Sequence, residues 1–154
     1  MSVIAAYLDW PNLIAGFVLG FLAAYGAHAL YDRNRMTARA SLLREKYGKL
    51  AGAYSNYRAD GTATGGSIEL TQAPDGSFEI IGLNPDRTAD WESVLWMDDK
   101  IENRGIAHYR YKPGNNYGVQ VIRYAPETGY LHIKATRESP GPPLEFHHVW
   151  RPKK

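Results

Sequence analysis

Six tyrosines and three arginines fall on short alternating segments: Tyr54, Tyr57, Tyr109, Tyr111, Tyr117 and Tyr124, with Arg58, Arg110 and Arg123. Tyrosine faces stack on planar rings, their hydroxyls donate and accept hydrogen bonds, and a guanidinium pairs with carboxylate or phosphate. Turned to one inner face, such a set would hold a small anionic, aromatic molecule. Tyr109 and Tyr111 share strand parity, whereas Arg110 between them points the other way. The expected ligand-binding set is Tyr54, Tyr109, Tyr111, Arg123 and Tyr124, with Arg123 as the anion partner. The competing reading packs tyrosines across strands and leaves arginines on the wet face.

Other chemistry is sparse. His108, His132, His147 and His148 lie on strand-like segments, but no pair has the spacing of a metal motif, and positions 147 and 148 face opposite ways. The acidic run at Asp98, Asp99 and Glu102 matches no calcium loop and reads as a solvated connection. Thr64–Ser67 (TGGS) approaches a hairpin and is followed by no helix, so it is not a phosphate loop. The chain has no cysteine, which fits a reducing compartment and excludes thiol chemistry. We therefore expect no catalytic residue, no metal, no cofactor and a non-enzymatic protein.

Strands must position these side chains. Apolar and polar residues alternate over Leu50–Arg58, Ser67–Gln72, Phe78–Leu83, Trp91–Met97, Ile106–Lys112, Tyr117–Tyr124, Tyr130–Arg137 and Leu144–Arg151. Between them lie APDGS, LNPDRTAD, KPGNN, APETG and ESPGPP, rich in residues that supply turn dihedrals. Eight short strands without intervening helix predict a mainly β domain over residues 50–154. Its expected form is an antiparallel meander closed as a barrel, with a sandwich as the alternative.

Ahead of the strands, Trp10 to Tyr31 contains no Asp, Glu, Lys or Arg. About 22 residues at about 1.5 Å each give roughly 33 Å of helix, enough for a hydrocarbon core of about 30 Å. The preceding segment lacks the basic residues of a secretion signal, so the reading is a retained transmembrane helix within residues 1–31, with Trp10 and Tyr31 as interfacial aromatics. Gly16, Gly20 and Ala24 recur every fourth residue with His28 next, a face suited to close helix packing. The expected partners are therefore a second copy or a larger membrane complex. His28 is expected to bond a neighbouring helix or a headgroup.

Residues 32–49 continue as an amphipathic, basic juxtamembrane helix. Met36, Ala40, Leu43, Tyr47 and Leu50 form its apolar stripe, which can dock on the body behind it, while Arg33, Arg35 and Arg39 face anionic lipid. Residues 32–58 carry seven basic and two acidic side chains, whereas residues 59–154 carry eleven basic and thirteen acidic. The bias predicts an inner-membrane, single-pass protein with its N-terminus outside and its C-terminal domain cytoplasmic. The slightly acidic body argues against a nucleic-acid polymer as partner.

Two resemblances follow from these residues. LAGAYSNY at the first strand and HHVWRPKK at the last look like the calycin pattern of lipocalins and fatty-acid-binding proteins. In that pattern Gly-x-Trp opens the barrel and an arginine of the last strand packs across it. Here Gly52-x-Tyr54 takes the first place and Arg151 the second. The layout as a whole resembles the membrane-anchored minimal-barrel effectors of bacterial CBASS anti-phage defence. That resemblance implies a cytoplasmic barrel binding a cyclic dinucleotide and a membrane segment carrying the output. Two functions stand at this point: a membrane-anchored binding or sensor module, and a structural accessory subunit whose barrel caps a larger membrane complex.

Overall fold

The computed structural model describes residues 10–112, 116–139 and 141–154, with side chains from Ile14 onward, Ala15 and Ser139 excepted. The turns expected at KPGNN and ESPGPP therefore lie partly outside the described residues. After one long helix, α1 (Trp10–Tyr47), and a short 3-10 turn at Gly48–Leu50, the chain is all strand. The strands are β1 (Gly52–Arg58), β2 (Ala63–Gln72), β3 (Phe78–Leu83), β4 (Ala89–Met97), β5 (Arg104–Tyr111), β6 (Tyr117–Ala125), β7 (Tyr130–Ser139) and β8 (Leu144–Pro152). Each pairs antiparallel with the next, and β8 returns to β1, which closes the barrel and leaves no edge. The eight-stranded antiparallel meander barrel expected from the alternation is the fold.

The period-2 pattern decides which way each side chain points. Trp91, Ser93, Leu95 and Met97 of β4 are buried and Glu92, Val94 and Trp96 are exposed, so the odd positions face the barrel axis. Thr64–Ser67 belongs to β2 itself, where Gly65 takes a left-handed φ of 80°.

Three hairpins share one turn. In 58–62, 73–77 and 84–88 (RADGT, APDGS, NPDRT) the fourth residue donates its N–H to the first residue's carbonyl at 2.9–3.0 Å. That fourth residue is left-handed in each: Gly61, Gly76 and, in the last, Arg87 at φ 62°. A side chain in this region costs about 1–2 kcal/mol, and glycine gives back about 0.5–1 in chain entropy. Arg87→Gly is thus expected to stabilise the barrel by about 0.5 kcal/mol, read as a melting rise of roughly 2–3 °C.

One end of the barrel, the floor, is closed by the end of α1. Leu43, Tyr47 and Leu50 are each 1% exposed and join the core. Gly76 lies so close that a Cβ there would meet the Ala40 carbonyl and Leu43 Cβ at 3.1 Å. The backbone N–H of left-handed Asn103 donates to the Tyr47 hydroxyl at 3.1 Å. Arg39 pairs with Asp99 at 3.2 Å and Lys46 with Glu102 at 3.6 Å. The acidic connection thus holds the helix end, and Arg39, expected on lipid, is bonded to it. Of the expected stripe, Ala40, Leu43, Tyr47 and Leu50 dock while Met36 stays exposed.

The chain divides into two compact units, residues 1–38 and 39–154. Within the first, His28 Nδ1 lies 3.1 Å from the Asp32 carboxylate four residues on. The expected transmembrane span is not sustained by the described part: among the described residues no helix is long and apolar enough to cross a membrane. Gly16, Gly20, Tyr25, Gly26, His28 and Tyr31 dilute the apolar side chains of the helix, and Asp32 and Arg33 close the run.

Candidate functional site

The inward-facing side chains change character along the barrel. Near the floor Leu70, Phe78, Ile80, Leu95, Met97, Ile122 and Leu131 are at most 3% exposed and fill the interior. Toward the other end, the mouth, Gly66 and Ala135 are too short to reach the axis. A cavity of about 520 Å³ opens there, lined by residues of every strand. Small-molecule sites run to about 300–1,000 Å³, and this volume lies within that range.

Its aromatic wall is a ladder. Trp150 lies 5.9 Å from Trp91, Trp91 packs edge-on against Tyr109 at 6.3 Å, and Tyr109 meets Tyr111 edge-on at 5.8 Å. Two glycines make room for it. A Cβ at Gly82 would collide with the Trp91 indole, and one at Gly118 would collide with the Thr136 carbonyl and the Tyr109 ring.

The polar lining is unpaired. Asn56 Oδ1, Gln120 Oε1, Arg137 Nε and His148 Nδ1 are buried and have no hydrogen-bond partner among the described residues. All four residues line the cavity. Among the described residues only two further atoms share that condition, Gln72 Nε2 and Arg151 Nε, and they lie elsewhere. Gln120 is only 6% exposed. Buried polar groups are nearly always bonded, so this concentration in one hollow fits groups arranged to meet a ligand.

Charge at the mouth favours an anion. Arg58 and Arg137 line it with His148, against one carboxylate, Asp90. Arg58 and His148 stand directly opposite in the β1–β8 register. Burial, then the Arg58 charge, pulls the His148 pKa below the usual range, although the nearby Tyr57 backbone works against them. His148 is therefore neutral at pH 7. The unfolded chain takes up that proton near pH 6.5 and the folded chain only lower, so stability holds above about pH 6.5 and declines as pH falls below it. Melting points of wild type and His148→Gln, measured from about pH 8 to about pH 5, should diverge below about 6.5, with wild type losing more. Because a bound anion favours the imidazolium, an anionic ligand should bind more tightly over that same acidic window.

The residues expected from sequence divide between two regions and two faces. Tyr109 and Tyr111 face the cavity together. Tyr54 lies at the floor, its hydroxyl donating to the Leu50 carbonyl at 2.9 Å, and burial with Tyr124 nearby pushes its pKa up to about 12. Tyr124 is also at the floor, under the Lys49 ammonium, which lies 5.1 Å from its ring centre. Arg123 is exposed on the outer wall, because its neighbour Tyr124 takes the inward phase of β6. The cavity's cations are instead Arg58, which belonged to the wider tyrosine and arginine set, and Arg137, which did not. Arg151 faces outward from opposite Ser55 and stacks on Tyr57 at 4.2 Å, so it does not cross Tyr54.

Sequence reasoning also missed Trp91, Trp150, Asn56 and Gln120. A usable signal existed: each missed polar group continues an apolar inward phase, Asn56 after Tyr54, Gln120 before Ile122, Arg137 after Ala135. Gly16, Gly20, Ala24 and His28 are on α1, and a Cβ at either glycine would meet nothing within 4 Å among the described residues. Arg33 and Arg35 are exposed. Among the described residues no group of three or more His, Asp or Glu is placed to hold a metal. Comparison with protein-family models, with curated proteins and with solved structures finds no match to this chain.

Proposed function

We propose that this protein is a non-enzymatic binding or sensor module that takes a small anionic, aromatic ligand, of the cyclic nucleotide kind, in the mouth of its barrel. The observation that carries the reading is the set of four unpaired buried polar atoms at Asn56, Gln120, Arg137 and His148, gathered around one hollow beside the Trp91–Trp150 pair. The indoles supply stacking surface, the amides read a ring's polar edge, and Arg58 and Arg137 balance the charge.

The same proposal seats α1 in the inner membrane and the barrel in the cytoplasm. Phe17, Leu19, Phe21, Leu22 and Tyr25 are 59–77% exposed on consecutive turns of the helix, apolar on all sides, which lipid would cover. Arg33, Arg35 and Arg39 after the apolar run favour the cytoplasmic side. The bare Gly16, Gly20 and Ala24 face supports a helical partner, either a second copy or a larger complex to which the barrel is an accessory cap.

The full chain, purified in detergent, is to be melted with cyclic AMP, cyclic di-AMP and cyclic di-GMP. A ligand at about 100 times its Kd adds about 2.7 kcal/mol to the folded state, so at least one should raise the melting point by several degrees. Unchanged melting with all of them would reject the nucleotide reading. A reporter joined after Lys154 should be active only where it requires the cytoplasm.

A further inference from the structure

The outer wall of β4, β5 and β6 carries an apolar patch where a free sheet face would carry polar side chains. Trp96, Ile106 and Val121 stand in one register row, and in the next Val94 and Val119 flank the exposed His108. Trp96 is 46% exposed, Ile106 44% and Val94 43%. One row nearer the floor, Arg104, Arg123 and His132 stand directly opposite one another across β5, β6 and β7. The two arginines so placed repel by about 0.2–1 kcal/mol. None of the three has an ion-pair partner among the described residues. The row runs into a shallow outer groove in which Arg123, His132, Lys134 and His147 surround Val121 and Val149, with Glu127 at the rim. Glu145 bridges Lys134 and His147 but reaches neither Arg123 nor His132. In the β4–β5 turn at the floor, Ile101 is 48% exposed beside Lys100.

We infer that this wall is a docking face for an anionic bilayer surface. Two adjacent arginines beside an indole and branched aliphatics are complementary to lipid phosphates above an acyl boundary. Arginine pairs phosphate in a fork, tryptophan settles at headgroup depth, and each basic residue near such a surface adds on the order of 1 kcal/mol. The inference extends the membrane reading of α1 and uses none of that helix's residues.

The test reconstitutes the full chain with vesicles of phosphatidylcholine alone, or with about one third phosphatidylglycerol, the acyl chains brominated near the headgroup. The expected result is a Trp96 component of quenching, read as the difference between the wild-type chain and Trp96→Phe, at least about threefold stronger in the anionic vesicles. Arg104→Glu with Arg123→Glu should remove it with the circular dichroism unchanged. The exposed Arg123→Gln alone, which leaves the barrel interior untouched, should halve it. Equal quenching in both lipids, or none in either, overturns the inference. So does a Trp96→Ser variant that drops from dimer to monomer, which would give the face to a second copy. Flotation separates the two membrane readings. A chain that floats with neutral vesicles yet shows no Trp96 quenching keeps the helix anchor and loses the wall. A chain that floats only with anionic vesicles, through Arg104 and Arg123, does the reverse.

Discussion

Arg137→Ala is expected to weaken binding of whichever cyclic nucleotide best raises the melting point by about 10- to 100-fold. The guanidinium lines the cavity with its Nε unpaired, so truncation removes one of the two guanidiniums there and its charge-assisted bond. Such bonds contribute about 1.5–3 kcal/mol, which is that range of affinity. Arg137→Lys should recover part of the loss, because a point charge remains without the fork. Arg123→Ala is the control. It lies on the outer wall and should leave the affinity within about twofold, as calorimetric titration of both variants would show. A larger loss from Arg123 than from Arg137 would place the anion site outside the barrel.

Trp150→Ala carries the largest expected cost in stability. Trp150 is 1% exposed, stacks on Trp91, and stands opposite Asn56 and Leu131 in the two ladders that close the barrel. Removing a buried indole costs about 3–5 kcal/mol, lost transfer energy plus the cavity left behind. A domain of this size has only about 5–15 kcal/mol in hand. The melting point should drop by on the order of 10 °C, and the urea midpoint should fall with it. Trp150→Phe, which keeps a ring against Trp91, should lose less than half as much. A variant that melts within about 2 °C of wild type would mean that the ladder does not hold the barrel together.

The barrel was legible because its alternation is local. Ile68 and Leu70 against Glu69 and Thr71, or Leu131, Ile133 and Ala135 against His132, Lys134 and Thr136, state the inward phase within five residues. The docked stripe of Ala40, Leu43, Tyr47 and Leu50 was legible for the same reason at the helical period. Strand starts were less so: β2 begins at Ala63, earlier than its apolar residues suggest, since Gly65 and Gly66 carry no pattern. The site was half legible. Parity put Tyr109 and Tyr111 together, and the same rule forbids Arg123 and Tyr124 from facing inward together. Depth along the barrel was not available, because it depends on the stagger between strands. Tyr54 and Tyr124 share the inward phase of the cavity residues yet lie at the filled floor. What separates floor from mouth is the arrival of Leu43, Tyr47 and Leu50 from α1, a long-range contact that no strand segment announces.

The central claim, that the hollow beside Trp91 and Trp150 is the ligand site, is open to one direct measurement. The four tryptophans, Trp10, Trp91, Trp96 and Trp150, each give an indole N–H resonance in the full chain in detergent micelles. Assigned by single substitutions to phenylalanine, Trp10 reports on the helix start, Trp96 on the outer face, and Trp91 and Trp150 on the cavity wall. Titration with the stabilising cyclic nucleotide should move Trp91 and Trp150 together and saturably while Trp10 and Trp96 stay in place. Movement of Trp96 alone, or of none of the four while the ligand still binds, would contradict the account.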